Sequence, residues 1–285
     1  NMVVAGLTSV LWVVLSLLTL ISPTFSLVGG RPAAESLKNW VVNVNGRCGG
    51  VFLDENHVLT AASCLMNRDR AGEPELEPKD IIIHYHCLHA PGQAKDCDQS
   101  VAAKRLMVHP CYQGRTVGVH DVAVIWLNRT IPVLSASTLP VLDGWNSTTG
   151  PLFPNLDDGA VDYSGMGEIT RFAGWGHTGY NVQTGQPLAA AALYEGLLPT
   201  VNGSYCKHTY ATANTSSFET ALDFEIPRMI CAGLGLGNDR FVCNGGDEGG
   251  PLYYTSTTGR PIVVGIFSSQ TLPQGAQADR CNVDG

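Results

Sequence analysis

A chain of 285 residues is long enough to bury one large core or two small packed ones, so a minimal scaffold is excluded. Its formal net charge of -8, with no basic tract beside it, excludes a nucleic-acid partner, because phosphate binding needs clustered Lys and Arg. Charge is sparse at 15%, Gly and Pro are frequent, and no long helical period stands out, which predicts an all-β protein of short strands joined by turns.

The chain opens with an apolar run, MVVAGLTSVLWVVLSLLTLI (2–21), followed by SPTFS, where Thr24 and Ser26 offer a small-x-small cleavage site before Leu27. Residues 1–26 read as a secretory signal, although no Lys or Arg precedes the run and its length would also serve an uncleaved anchor. With cleavage, no stable membrane association is expected, and the protein is secreted and extracellular. Nine cysteines fit an oxidising compartment, as do four N-x-S/T sequons at Asn128, Asn146, Asn202 and Asn214.

Short β-rich runs then follow: WVVNV (40–44), HVLTA (57–61), IIIHYH (81–86), DVAVIWL (121–127) and PIVVGIF (261–267). Turn-rich stretches separate them, the pattern of a barrel or sandwich. His84 and His86 fall on one face of a strand and invite a metal reading, but a disulfide at Cys87 beside ordinary surface histidines explains HYHCLH as well, and no metal or other cofactor is predicted. Cys87 and Cys97 flank a turn, LHAPGQAKD, and are read as a disulfide. Residues 143–171, including DGWNSTTGPLFPNLDDG, are too polar and broken for a core element and read as a long exposed loop near the junction of two halves.

Seven segments carry a family resemblance: LVGG (27–30), CGGVFLDENHVLTAASC (48–64), HDVAVIWL (120–127), FAGWG (172–176), MICAG (229–233), GDEGGPL (246–252) and VVGIFS (263–268). Their order and approximate spacing resemble those of trypsin-like serine proteases. The resemblance implies two packed six-stranded antiparallel barrels, residues 27–140 and 141–281, with the cleft between them and the 143–171 insertion in the second. It also implies a further strand and a C-terminal helix after the cysteine matching Cys281, which the few residues to Gly285 do not supply. Since Asn1 precedes the first Met, a fragment of a longer translation is expected.

In that family a histidine takes the proton of a nucleophilic serine while a buried aspartate holds the imidazole in the right tautomer. The family's TAAHC reads TAASC here, so Ser63 stands at the general base, Asp121 keeps the aspartate's place, and Glu248 stands at the nucleophile. No intact triad is therefore expected. In subtilisin, losing the serine or the histidine alone lowers turnover on the order of a million-fold, so either replacement would suffice. The stretch CNGGDE places Asn244 and Gly245 before Gly246 where the family has one residue, which disturbs the turn whose N–H groups form the oxyanion hole. His57 is the nearest histidine in sequence, yet it lies in the strand before the TAASC turn, and the resemblance gives no reason to place it in the cleft.

The resemblance assigns substrate binding to Phe241, at the base of the specificity pocket, and to Ser268, Ser269 and Gln270, where the family's Ser-Trp-Gly strand pairs with a peptide. An apolar pocket base suits neither Lys nor Arg. It further implies disulfides Cys48–Cys64, Cys206–Cys231 and Cys243–Cys281, leaving Cys111 free, joined to another chain, or deprived of its partner. In place of the family's cut before Ile-Val-Gly-Gly, signal cleavage before Leu27 would release an amine able to pair with Asp247; the alternative is that Asp247 caps local N–H groups. The region matching the family's calcium loop lacks its acidic ligands, so calcium is not expected.

These residues predict a non-catalytic relative that binds an extracellular protein of unknown identity, as cofactor, decoy or inhibitor, through loops 143–171 and 270–280. A rival reading makes Glu248 and Asp121 a carboxylate pair about 6 Å apart, whose repulsion would keep one protonated for acid-base work. Its plain counterpart is a Glu248 turned to solvent beside a buried Asp121. A non-functional gene fragment is the third possibility.

Overall fold

The computed structural model describes residues 30–66, 76–91, 99–112, 120–131, 141–142, 169–180, 187–204, 207–208, 229–233, 246–255 and 259–268. The strands are β1 (Arg31–Pro32), β2 (Val41–Val44), β3 (Cys48–Phe52), β4 (His57–Thr60), β5 (Ile82–His84), β6 (Ser100–Val108), β7 (Ala123–Leu127), β8 (Val141–Leu142), β9 (Ile169–Gly174), β10 (His177–Tyr180), β11 (Pro187–Ala189), β12 (Tyr194–Val201), β13 (Cys231–Ala232), β14 (Pro251–Thr255) and β15 (Pro261–Ile266). All five β-rich runs picked out in the sequence contain a strand. The protein is nearly all β, as expected.

Six strands close into a barrel in the order β2-β3-β4-β7-β6-β5, all paired antiparallel. The β2–β3 hairpin turns at Asn45 and Gly46, both with positive φ (54° and 68°), the conformation that Asn-Gly adopts at least cost. The Asn45 side chain then accepts the Ile82 N–H at 2.7 Å, fixing this turn to the start of β5. Within β7 the alternation is regular: Ala123, Ile125 and Leu127 are buried, while Val124 and Trp126 are half-buried. Closure removes the free edges that a six-stranded sheet would otherwise present.

The remaining described strands belong to the second half. Its described strands form a sheet in the order β1-β12-β9-β14-β15-β8, with β13 also on β12 and β10–β11 as a separate hairpin. The β15–β8 pair is parallel. Two boundaries also shift. β1 precedes the first barrel in sequence yet pairs with β12, because Arg31 lies opposite the buried Glu195 and forms an ion pair with it at 2.7 Å. Residues 169–171, read as the end of the long loop, belong to β9, where they pair with Leu197, Leu198 and Pro199 of β12.

One apolar core continues from the barrel into this sheet, joining Val41, Val51, Phe52 and Ile125 to Ala173, Trp175, Tyr253 and Val263. Trp40 meets Tyr253 edge to face across the seam, with ring centroids 5.1 Å apart. A smaller cluster of Phe172, Leu198 and Leu252 fills the second half. The seam is therefore packed, and the segment 246–250 runs through it.

Candidate functional site

Backbone hydrogen bonds hold the segment 246–250 from both sides. Gly49 of β3 donates its N–H to the Glu248 carbonyl at 2.7 Å, while Gly249 donates to the Phe267 carbonyl at 2.8 Å. Phe267 returns a bond to Gly250, also at 2.8 Å. The run of small residues is what allows this approach. Gly249 has φ 78°, and a Cβ there would run into Thr60 Oγ1 and the Gly49 carbonyl oxygen.

Asp247 is fully buried, and its Oδ1 accepts the Gly176 N–H at 2.8 Å. Gly176 belongs to FAGWG, 71 residues earlier, so Asp247 joins two distant segments. A side chain at position 176 would strike the Asp247 carboxylate, which explains why glycine stands there. Leu27, the proposed partner of Asp247, lies outside the described residues.

Glu248 overturns the expectation of a side chain turned to solvent: it is 1% exposed. Its Oε2 accepts the N–H of Gly246, two residues back, at 2.9 Å. The cause is steric and electrostatic together. Gly49 and Phe267 enclose the backbone on either side, and a buried carboxylate must find donors. Gly246, at φ 136°, presents its N–H within reach of a side chain as long as glutamate.

Asp121, 8% exposed, sits on the chain leading into β7. Its Oδ1 accepts the Ser63 N–H at 2.7 Å, and its Oδ2 accepts the Ser63 hydroxyl at 3.0 Å and the Ser268 hydroxyl at 2.6 Å. Ser63 is buried on the short 3-10 turn after β4, whereas Ser268 follows β15. Asp121 thus holds Ser63 within the barrel and reaches the second sheet through the Ser268 hydroxyl. Ser268, assigned to substrate pairing, turns its hydroxyl to this carboxylate. The hydrogen bonds direct Asp121 to Ser63 and Ser268, and Glu248 to Gly246.

His57 projects away from this site. Thr60 faces the 246–250 segment and donates its hydroxyl to the Gly49 carbonyl, and His57, three residues earlier on β4, lies on the opposite face. Its Nδ1 lies 2.7 Å from the Asp54 carboxylate, and its ring meets Trp126 edge-on. His84 ends β5, and His86 takes φ 58°, so the strand geometry behind the metal reading stops at His84. Burial lowers the pKa of His86, with the nearby Lys38 charge acting in the same direction and a hydrogen bond to Gln99 opposing it. Among the described residues there is no group of three His, Cys, Asp or Glu able to hold a metal ion.

The Cys48–Cys64 disulfide is formed, closing β3 onto the turn that carries Ser63. Cys87 and Cys231 are also disulfide-bonded, and Cys111 is exposed and free. Asn128 and Asn202 are exposed. Phe241, Ser269, Gln270, Cys97, Cys206, Cys243, Cys281, Asn146 and Asn214 lie outside the described residues, as do Asn244, Gly245, loop 270–280 and the 143–171 stretch up to residue 168. Among the described residues no helix is long and apolar enough to cross a membrane.

A second buried polar group has no counterpart in the sequence reading. Glu195, 3% exposed, accepts Arg31 Nε at 2.9 Å and the Tyr253 hydroxyl at 2.9 Å, with Arg171 at 3.8 Å. Burial and the Glu195 carboxylate together push the Tyr253 hydroxyl far above the ordinary phenol range, so it stays a donor. The only sequence signal was an acid inside the apolar alternation of YEGLLPTV.

The Trypsin family model matches residues 27–283. Serine proteinase stubble of Drosophila melanogaster is 28% identical over 274 residues, covering 88% of this chain and 28% of that protein. Mannan-binding lectin serine protease 1 of Mus musculus is 28% identical over 243 residues, covering 78% and 28%. U21-ctenitoxin-Pn1a of Phoneutria nigriventer is 26% identical over 238 residues, covering 81% and 83%. The chain spans only 28% of the length of the first two relatives.

Proposed function

Because this chain belongs to the trypsin family, we propose that it acts without proteolysis, as a secreted, glycosylated protein that uses the protease scaffold to bind another extracellular protein. The observation that carries this reading is the hydrogen bond from the Gly246 N–H to Glu248 Oε2 at 2.9 Å. Stabilising a tetrahedral intermediate needs donors about 2.7–3.1 Å from the developing oxyanion, and one backbone donor of this turn is already held by the chain's own carboxylate. Ser63 adds to the case, since a neutral hydroxyl has no proton affinity near neutral pH with which to activate a nucleophile. Asp121, which would orient an imidazole, is occupied by an amide and two hydroxyls.

The same geometry weakens the rival hydrolase, because Glu248 and Asp121 are each engaged with other donors. The disulfide-bonded Cys48, Cys64, Cys87 and Cys231 are in keeping with an oxidising compartment, as are relatives named as a mannan-binding lectin serine protease and a ctenitoxin. Exposed Asn128 and Asn202 support the glycosylation reading. Loops 143–168 and 270–280 are proposed as the contact surface, and Cys111 as a covalent link to another chain. A disulfide-linked species on a non-reducing gel of the secreted protein, absent in Cys111→Ser, would establish that link; a lone monomer band would remove it. Incubation with a fluorophosphonate probe tests the wider reading. Intact mass should show no adduct, and stoichiometric labelling would mean an activated serine exists.

A further inference from the structure

Two histidines near Asp121 are stacked face to face. His109 follows β6 and His120 precedes Asp121; their ring centroids are 4.5 Å apart and their planes differ by 2°. His109 Nδ1 accepts the backbone N–H of Cys111 at 3.1 Å, so the neutral ring carries its proton on Nε2 and needs the Nδ1 lone pair free. Protonating His109 places a second proton on Nδ1. That step abolishes the Cys111 contact and sets a cation against the face of a second imidazole.

The backbone around the pair is pinned at the same place. His109 donates its N–H to the Val122 carbonyl at 3.0 Å, Val122 donates to the His120 carbonyl at 2.7 Å, and Tyr112 donates to the His109 carbonyl at 2.9 Å. His120 itself takes φ 61°, in the left-handed region that few residues other than glycine adopt. The residue after it, Asp121, is the carboxylate that ties Ser63 to Ser268. Among the described residues, the titratable groups next to the stack in the chain are the two imidazoles, the Cys111 thiol, the Tyr112 hydroxyl and the Asp121 carboxylate.

We propose that the His109–His120 stack is an acid-sensitive clasp that sets the position of Asp121, and through it the polar tie between the two halves of the molecule. At neutral pH the rings stack and Asp121 is held. As the pH falls His109 gains its proton, the stack separates, and the 120–122 backbone loosens, weakening the Asp121 contacts. Burial and the facing His120 both hold the His109 pKa below the ordinary histidine value, so the change occurs on the acid side of that value.

Amide hydrogen exchange of the intact chain at pH 7.5 and pH 5.0, corrected for intrinsic exchange, tests the clasp through two N–H groups. The Val122 amide reports on the stack, and the Ser63 amide reports on the grip of Asp121. Both should lose about tenfold or more of their protection at pH 5.0. His109→Asn supplies an uncharged oxygen acceptor for the Cys111 N–H and should abolish the loss; His120→Asn, at ease in the left-handed region, should reduce it. Imidazole NMR titration of the unmodified chain gives a readout that does not depend on the variants folding, and His109 should titrate below the ordinary histidine value. Unchanged protection at pH 5.0, an equal loss in both variants, or titration of His109 at or above the ordinary histidine value would overturn the proposal.

Discussion

Glu248 is a buried glutamate, and a donor to its carboxylate lies two residues away. A hydrogen bond to a charged acceptor contributes about 1.5–3 kcal/mol, and a buried N–H left unmade costs a similar amount. Glu248→Ala strands the Gly246 N–H in a buried turn and is expected to lower unfolding stability by about 1–3 kcal/mol, read as the urea midpoint at constant m-value. Glu248→Gln keeps an oxygen acceptor and should stay within about 1 kcal/mol of the parent. Equal losses in the two variants would mean that the contact with Gly246 does not hold the turn. The sequence showed which residue replaced the nucleophile but not where it points. Its burial depends on Gly49 and Phe267, which close over the segment from strands about 200 and 20 residues away in sequence. In the same way, TAASC revealed the missing imidazole without revealing that the serine hydroxyl would bond to Asp121.

At the scale of elements, the segment 246–250 works as a brace between β3 and β15, and its glycines are there for space as much as for backbone freedom. Gly249 and Gly259 provide the contrast, because both have left-handed φ (78° and 82°), yet a Cβ at 249 would collide with Thr60 and Gly49 while one at 259 meets nothing within 4 Å. Gly259→Ala should therefore lose only the backbone term, about 1 kcal/mol, and Gly249→Ala should lose at least about 3 kcal/mol or fail to fold. Similar thermal melting points for the two variants would refute the close approach. Legibility also varied from strand to strand. The runs WVVNV and DVAVIWL announced β2 and β7 because β-branched residues crowd into them. β6, the longest strand, passed unseen because Lys104 and Arg105 interrupt its apolar alternation on the outer surface of the barrel. β12 contains Gly196 and Pro199, which sequence rules hold against a strand. Pro199 is tolerated because β1 pairs only at Tyr194 and Glu195 and β13 only at Thr200 and Val201, leaving an interval between them on that edge.

For the molecule as a whole, the family and its first barrel were legible because seven short segments keep their order over most of the chain. The second half was less so, because among the described residues its parallel β15–β8 pair and the N-terminal strand crossing onto β12 arise from long-range pairing that no local pattern encodes. What the architecture preserves is the seam: a shared core, the 246–250 brace and the Ser63–Asp121–Ser268 tie. These features keep two halves in register whether or not any bond is cleaved between them. The most direct test of the central claim is turnover of a peptide and glycoside panel by the purified secreted protein, run beside Glu248→Gln. The account predicts no product above the buffer blank for either protein. Product formed by the parent and lost in Glu248→Gln would contradict it, and would make the buried carboxylate a catalytic group.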